Sequence, residues 1–321
     1  MPSDMIKQDP NRPLAVDISG NGFYPRYLAA KKAIDDRALN HHVQETLRQA
    51  LEEATGREPL NILEIGAGIG AMLQRFLERG LLKGPATYVA TDSDPGQLVA
   101  AREYLSQWAQ KSGHVLSWSG KDRGRLRTSG ADLTIALIPV SAEALTGNSV
   151  KLGPFQLLIA HAVLDLFDFQ ALLPRLFSRL QANGLAYLTG NFDGKTVFLP
   201  ECDADQEIIK RYHASMEARL AGASHTGRRV LQLLQCPGME LLAAGGSDWI
   251  IHPLNEGYAT DEIFFLHAII ATVKQELAKN ESPPPGLAAW ARLRHRQVAA
   301  GRLSFLAGHL DLLVRRQGRL P

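Results

Sequence analysis

Ile62-Leu63-Glu64-Ile65-Gly66-Ala67-Gly68-Ile69-Gly70 is the stretch that decides how this chain folds. A short apolar run carries one carboxylate and ends in glycines on alternate positions. The run suits a buried strand of a parallel sheet. The glycines suit a tight turn whose backbone comes close to another group, because glycine reaches φ > 0 and carries no Cβ. Further on, Tyr88-Val89-Ala90-Thr91-Asp92-Ser93-Asp94 repeats the pattern of a strand ending in acid. A glycine turn followed about 20 residues later by an acid is how a doubly wound sheet holds a nucleoside. The glycines lie beneath it and the carboxylate takes the ribose hydroxyls.

Two ligands fit these residues. Gly66-x-Gly68-x-x-Ala71 satisfies the dinucleotide pattern, and Gly66-x-Gly68-x-Gly70 satisfies the S-adenosylmethionine (SAM) pattern. Glu64 separates them. A carboxylate repels pyrophosphate but attracts the sulfonium and ammonium of SAM. On these residues the chain resembles the class I SAM-dependent methyltransferases, whose first motif is an acid, one residue, then Gly-x-Gly-x-Gly. The resemblance covers roughly residues 58 to 255 and rests on the order of its motifs.

The resemblance implies an α/β fold: a doubly wound, mostly parallel, seven-stranded sheet with added N- and C-terminal helices. It implies SAM as cofactor and S-adenosyl-L-homocysteine as product. Gly66, Gly68 and Gly70 would carry the methionine part. Asp92, with Ser93 beside it, would hold the ribose; Asp94 is the second choice, against a role at the start of the next helix. Asp122, after an expected third strand at 114–118, would touch the adenine amino group. Glu64 would hold a water or the ammonium region.

The acid–base candidates are His161 at the end of the fourth strand, Asp165 on the same loop, and His213 in an inserted helix. His161 would also border the cofactor; the alternative is a histidine that caps the strand end. Several subfamily patterns are missing. Leu164-Asp165 stands where plant phenolic O-methyltransferases carry His-Asp. Ala160-His161-Ala162-Val163 replaces the Asn/Asp-Pro-Pro-Tyr of amino methyltransferases, and the Pro-Cys of cytosine C5 enzymes is absent. A small-molecule acceptor is therefore expected, without nucleic acid, and its atom is left open. Two other readings stand beside this one: an NAD(P)-dependent oxidoreductase, and a methyltransferase-like protein that binds SAM without catalysis.

The bulk numbers agree with a large core. The chain has 321 residues, 45% hydrophobic, with net charge +2, so no strong field points to nucleic acid or a membrane. Cys202 and Cys236 are too few for a disulfide framework and form no zinc-type cluster, so no metal is expected. Met1-Pro-Ser-Asp-Met-Ile-Lys7 lacks the layout of a signal peptide, and no apolar stretch is long enough to cross a bilayer. The expectation is a cytoplasmic protein with no membrane contact; a homodimer is left open.

The expected organisation has an N-terminal arm and helical lid (1–57), a SAM-binding domain (58–256) with a helical insert about 201–225, and a C-terminal helical appendage (257–321). Residues 1–22 read as irregular and 24–54 as one helix, with Gly56 as punctuation. Met239–Ala243 and Asp248–His252 read as a closing hairpin. Thr260-Asp261-Glu262 opens a helix, and Leu287–Val314 reads as another, with Leu303, Leu306, Leu310 and Leu313 as its buried stripe. Tyr24, Tyr27, His225, Arg228, Asp248 and Trp249 are further candidates for shaping an acceptor pocket. The basic set Arg292, Arg294, Arg296, Arg302, Arg315, Arg316 and Arg319 reads as the solvated side of the terminal helix rather than as an RNA surface.

Overall fold

A computed structural model of the chain describes residues 22–54, 59–147, 152–220, 222–235, 238–255 and 257–318. The readings on 1–21, Gly56, Cys236 and Arg319 fall outside them. The elements run α1 (Phe23–Ala38), α2 (His41–Ala54), β1 (Leu60–Ile65), α3 (Ala71–Glu78), β2 (Gly84–Asp92), α4 (Pro95–Lys111), β3 (Val115–Ser119), β4 (Arg123–Arg127), β5 (Ala131–Pro139) and α5 (Ala142–Leu145). They continue with β6 (Phe155–His161), α6 (Phe169–Phe177), β7 (Leu180–Leu199), α7 (Asp205–Arg219), α8 (Thr226–Leu233), β8 (Met239–Gly246), β9 (Trp249–Ile251), α9 (Thr260–Ala278), α10 (Leu287–Ala299) and β10 (Ser304–Arg316).

The fold is α/β with a large, mostly parallel sheet of order β3-β4-β5-β2-β1-β6-β7-β10-β8, with β9 against β10. Strands β5, β2, β1, β6 and β7 are parallel. The connection from β1 goes one way, to β2 and then β5; β6 and β7 lie on the other side. The order therefore reverses between β1 and β6, where an open sheet of this kind forms a crevice at its carboxyl edge. One face packs Val43, Leu47 and Leu51 of α2 with Met72 and Phe76 of α3 and Leu105 of α4. The other packs Phe169, Leu173 and Leu176 of α6 with Val230 of α8. Apolar residues of both hands along β1 and β6 feed both layers, which is why those strands read as continuous apolar runs.

Several expectations need correction. The sheet has ten described strands instead of seven. The 24–54 helix breaks at Leu39–Asn40, because the Asn40 side chain accepts the Val43 N–H at 3.1 Å and so caps α2. Residues 115–119 are not the third parallel strand. They form an antiparallel edge hairpin with β4, and the apolar β5 takes that place beside β2. The closing partner of β8 is β10, antiparallel, rather than 248–252. The helix expected to run to 314 ends at Ala299; Gly301, at φ 61, turns the chain and β10 follows.

The chain divides into two compact units: Met1–Ile34 with Thr196–Ser215 and Ile250–Leu306, and Asp35–Lys195 with Met216–Trp249 and Ala307–Pro321. In the first, Tyr27 stacks on Phe265 (centroids 5.4 Å), Arg26 bonds Asp261, and the buried Arg294 bonds Asp205. The second contains the glycine turn. The basic C-terminal set is dispersed as well: Arg315 lies near Glu240 and Glu53, and Arg316 donates to the carbonyls of Ser178 and Leu180. Arg292, Arg294 and Arg296 lie on α10, with Arg294 buried, whereas Arg315 and Arg316 belong to β10, so the set is not the solvated side of one terminal helix.

Candidate binding cradle at the switch point

The turn after β1 puts Gly66, Gly68 and Gly70 at φ 62, 53 and 79, which L side chains adopt only with strain. A Cβ on Gly66 would stand 2.5 Å from Val163 Cγ2, and one on Gly70 would stand 3.0 Å from Leu105 Cδ1. The backbone is thus wedged between the loop after β6 and α4. Thr91 holds the turn to the strand end: its carbonyl accepts the Ala67 N–H at 2.9 Å, and its hydroxyl donates to the Glu64 carbonyl at 2.8 Å.

Asp92 meets the same turn. Its Oδ2 accepts the Gly68 N–H at 2.9 Å, and its Oδ1 accepts the Asp94 N–H at 3.0 Å. A carboxylate offers about four lone-pair sites. Asp92 is half-buried, and these two bonds leave its carboxylate further acceptor capacity. Asp94 caps α4 instead, accepting the Gly96 N–H at 2.8 Å, and Ser93 is exposed beside it. Asp122 is exposed in the β3–β4 turn; its carbonyl accepts the Leu137 N–H at 2.8 Å, which puts it near the carboxyl end of β5.

Glu64 points inward. It is buried, and its Oε2 accepts the Tyr88 hydroxyl at 2.7 Å. Burial pushes its carboxyl up to about 8; the Tyr88 bond and Arg75 oppose that rise and Asp92 adds to it. Tyr88, enclosed and beside this acid, is pushed well above its ordinary value.

His161 is clamped. Its Nε2 lies 2.9 Å from Asp35 Oδ2 and its Nδ1 lies 2.9 Å from Thr189 Oγ1. With the Asp35 carboxylate accepting from Nε2–H, the neutral ring leaves Nδ1 to accept the Thr189 hydroxyl. Asp35 also accepts the Trp249 indole N–H at 3.0 Å and stands 3.8 Å from Arg75. Asp165 is half-buried on the loop whose Val163 covers Gly66. His213 belongs to the other unit and bonds Thr196 Oγ1 at 3.0 Å. His225 bonds Ser224, and Arg228 forms a two-pronged pair with Asp193, both arms at 2.9 Å.

Sequence reasoning missed Asp35, Arg75, Thr189 and Asp311. Asp311 is fully buried and accepts from Asn40 N–H at 2.9 Å, Gly190 N–H at 2.8 Å and the Ser247 hydroxyl at 2.6 Å. Burial still raises its carboxyl above the usual range. An acid in an otherwise apolar run was the available signal for Asp311; Asp35 stands among charged neighbours and offered none. Among the described residues no cluster of three or more His, Cys, Asp or Glu side chains has the layout to hold a metal ion, and no helix is long and apolar enough to cross a membrane.

No family model matches the chain, and no curated protein matches it. Solved structures similar to it include the plantazolicin methyltransferase BpumL in complex with S-adenosylhomocysteine (14% identity, 94% of this chain and 92% of that one, TM-score 0.45). Another is the YcgJ protein from Bacillus subtilis (12% identity, 86% and 99%, TM-score 0.44). A third is the cyclopropane synthase MmaA2 from Mycobacterium tuberculosis (8% identity, 87% and 88%, TM-score 0.41). At such scores the likeness assigns nothing to this chain, and its chemistry is read from the cradle formed by the glycine turn, Asp92 and Glu64.

Proposed function

We propose that the chain is a SAM-dependent methyltransferase acting on a small-molecule acceptor. The observation that carries this reading is the 2.9 Å bond from the Gly68 N–H to Asp92, which joins the glycine turn and the ribose-binding carboxylate in one cradle. The residues fit the cofactor in three ways. The turn is built of glycines at positive φ, Asp92 keeps acceptor capacity for the ribose hydroxyls, and a buried acid, Glu64, stands two residues before the turn.

When bound, SAM supplies an electrophilic methyl group. The chain has to hold, align and shield it. Gly66, Gly68 and Gly70 give the backbone its close approach. Asp92 fixes the ribose, with Ser93 and Asp122 bordering the nucleoside. Val163 closes over Gly66 and keeps water from that side. Among the candidate bases, Asp165 is the one we assign to the acceptor's proton, because it shares Val163's loop. His161 holds the strand end to Asp35, as the capping reading expected.

Calorimetric titration with SAM, S-adenosylhomocysteine and NAD(H) tests the reading. Binding of the first two and not the third is expected. Preference for NAD(H) would replace it with the oxidoreductase reading.

A further inference from the structure

Glu64 is placed unusually for a charged group. Only 2% of its surface is exposed, yet among the described residues no cation comes within ion-pair distance of it. The groups that face it are Tyr88 and Asp92 from β2 and Arg75 from α3. Arg75 is drawn the other way: its Nε donates to Asp36 and its Nη2 stands 3.8 Å from Asp35, with Tyr187 of β7 beyond. One phenolic hydroxyl is weak compensation for a wholly buried carboxylate, so the neutral acid is the stable form of such a group. A cation seated above the turn reverses that preference, because attraction is strong where water is excluded.

Resting on the SAM reading, we propose that Glu64 is the residue that discriminates the sulfonium donor from its neutral thioether product. It releases its proton to solvent when the sulfonium is seated by the turn Gly66–Gly70, and regains one when the sulfonium charge leaves with the methyl group. Donor affinity then rises with pH through the range in which the buried acid resists ionisation, while product affinity does not.

The test is calorimetry of SAM and S-adenosylhomocysteine with the full chain across about pH 6 to pH 9, in buffers of different ionisation enthalpy, so that protons released per ligand are counted. In the wild type, the ratio of donor to product affinity should climb by up to about tenfold per pH unit below the midpoint. Glu64→Gln should flatten that ratio, abolish the extra proton release and keep product affinity. The ligand's own ammonium titrates alike in both, so the difference isolates Glu64. Tyr88→Phe removes only the donated hydroxyl and should move the midpoint upward; this arm stands even when Glu64→Gln does not fold. Equal proton release with and without Glu64, a pH-independent ratio in the wild type, or an unmoved midpoint in Tyr88→Phe overturns the proposal while leaving SAM binding intact. Absence of SAM binding altogether overturns the functional reading and the proposal together.

Discussion

Asp35 and His161 lie 126 residues apart in sequence and 2.9 Å apart in space. One carboxylate in α1 thereby fixes the end of β6, takes the Trp249 indole N–H and faces Arg75 of α3. Its neighbours include the Arg75 guanidinium, 1% exposed, which stands 3.8 Å away and also bonds Asp36. Asp35→Asn is expected to destabilise the fold by about 1–3 kcal/mol, the usual cost of leaving buried hydrogen-bonding groups such as His161 and Trp249 poorly matched. Denaturant unfolding followed by Trp fluorescence checks this; a change under about 0.5 kcal/mol, typical of surface sites, would contradict it.

Gly66→Ala combines two faults, a Cβ 2.5 Å from Val163 Cγ2 and a backbone at φ 62. A residue forced into that region costs about 1–3 kcal/mol. Ligand affinity should fall together with stability. Adding Val163→Ala should restore part of the loss, since it removes the collision but not the backbone strain. Thermal melts and titration of the single and double variants separate the two terms; full restoration by Val163→Ala would show that φ is irrelevant here.

Glu64 also sets a pH dependence of stability. Its carboxyl rises from 4.5 to about 8 on folding. Above about pH 4.5 the unfolded chain has released this proton and the folded chain has kept it, so the folded state binds more protons. Stability then falls as pH rises from about 4.5 to about 8 and levels off beyond. The burial penalty is on the order of a few kcal/mol. Glu64→Gln should lose this slope and be more stable than the wild type at alkaline pH. Urea midpoints at several pH values decide it; parallel curves for the two proteins would exclude the buried acid.

Truncation before β10 is expected to unfold the sheet rather than trim an appendage. Leu312, Leu313 and Val314 have no exposed surface, and Asp311 ties Gly190, Ser247 and Asn40 together. A chain ending near residue 301 should lose cooperative melting. A folded, cooperatively melting fragment would contradict the placement of β10 between β7 and β8.

What the sequence made legible was local. The Ile62–Gly70 run and the Tyr88–Asp92 run each state strand, turn and acid within a few residues, and they pair in register, with Glu64 opposite Ala90. What it concealed was long-range. Leu303, Leu306, Leu310 and Leu313 alternate in steps of three and four and imitate a helix. Their strand exists because β8, more than fifty positions earlier, supplies the ladder. The third-strand reading failed for a related reason: 115–119 has strand composition, but only β5 is apolar enough to lie beside β2. Asp35 sits in a helix read for its apolar stripe, and nothing nearby in sequence announces His161 as its partner. The hydrogen bond that Glu64 accepts was hidden too, because its donor, Tyr88, belongs to another strand.

The central claim is that Asp92 and the glycine turn form one cradle for a cationic adenosyl ligand. The most direct measurement is the SAM dissociation constant of the wild type against Asp92→Ala. Loss of a charge-assisted bond of about 1.5–3 kcal/mol predicts at least a ten-fold weakening, with the fold retained. Equal affinity in the two proteins would contradict the account.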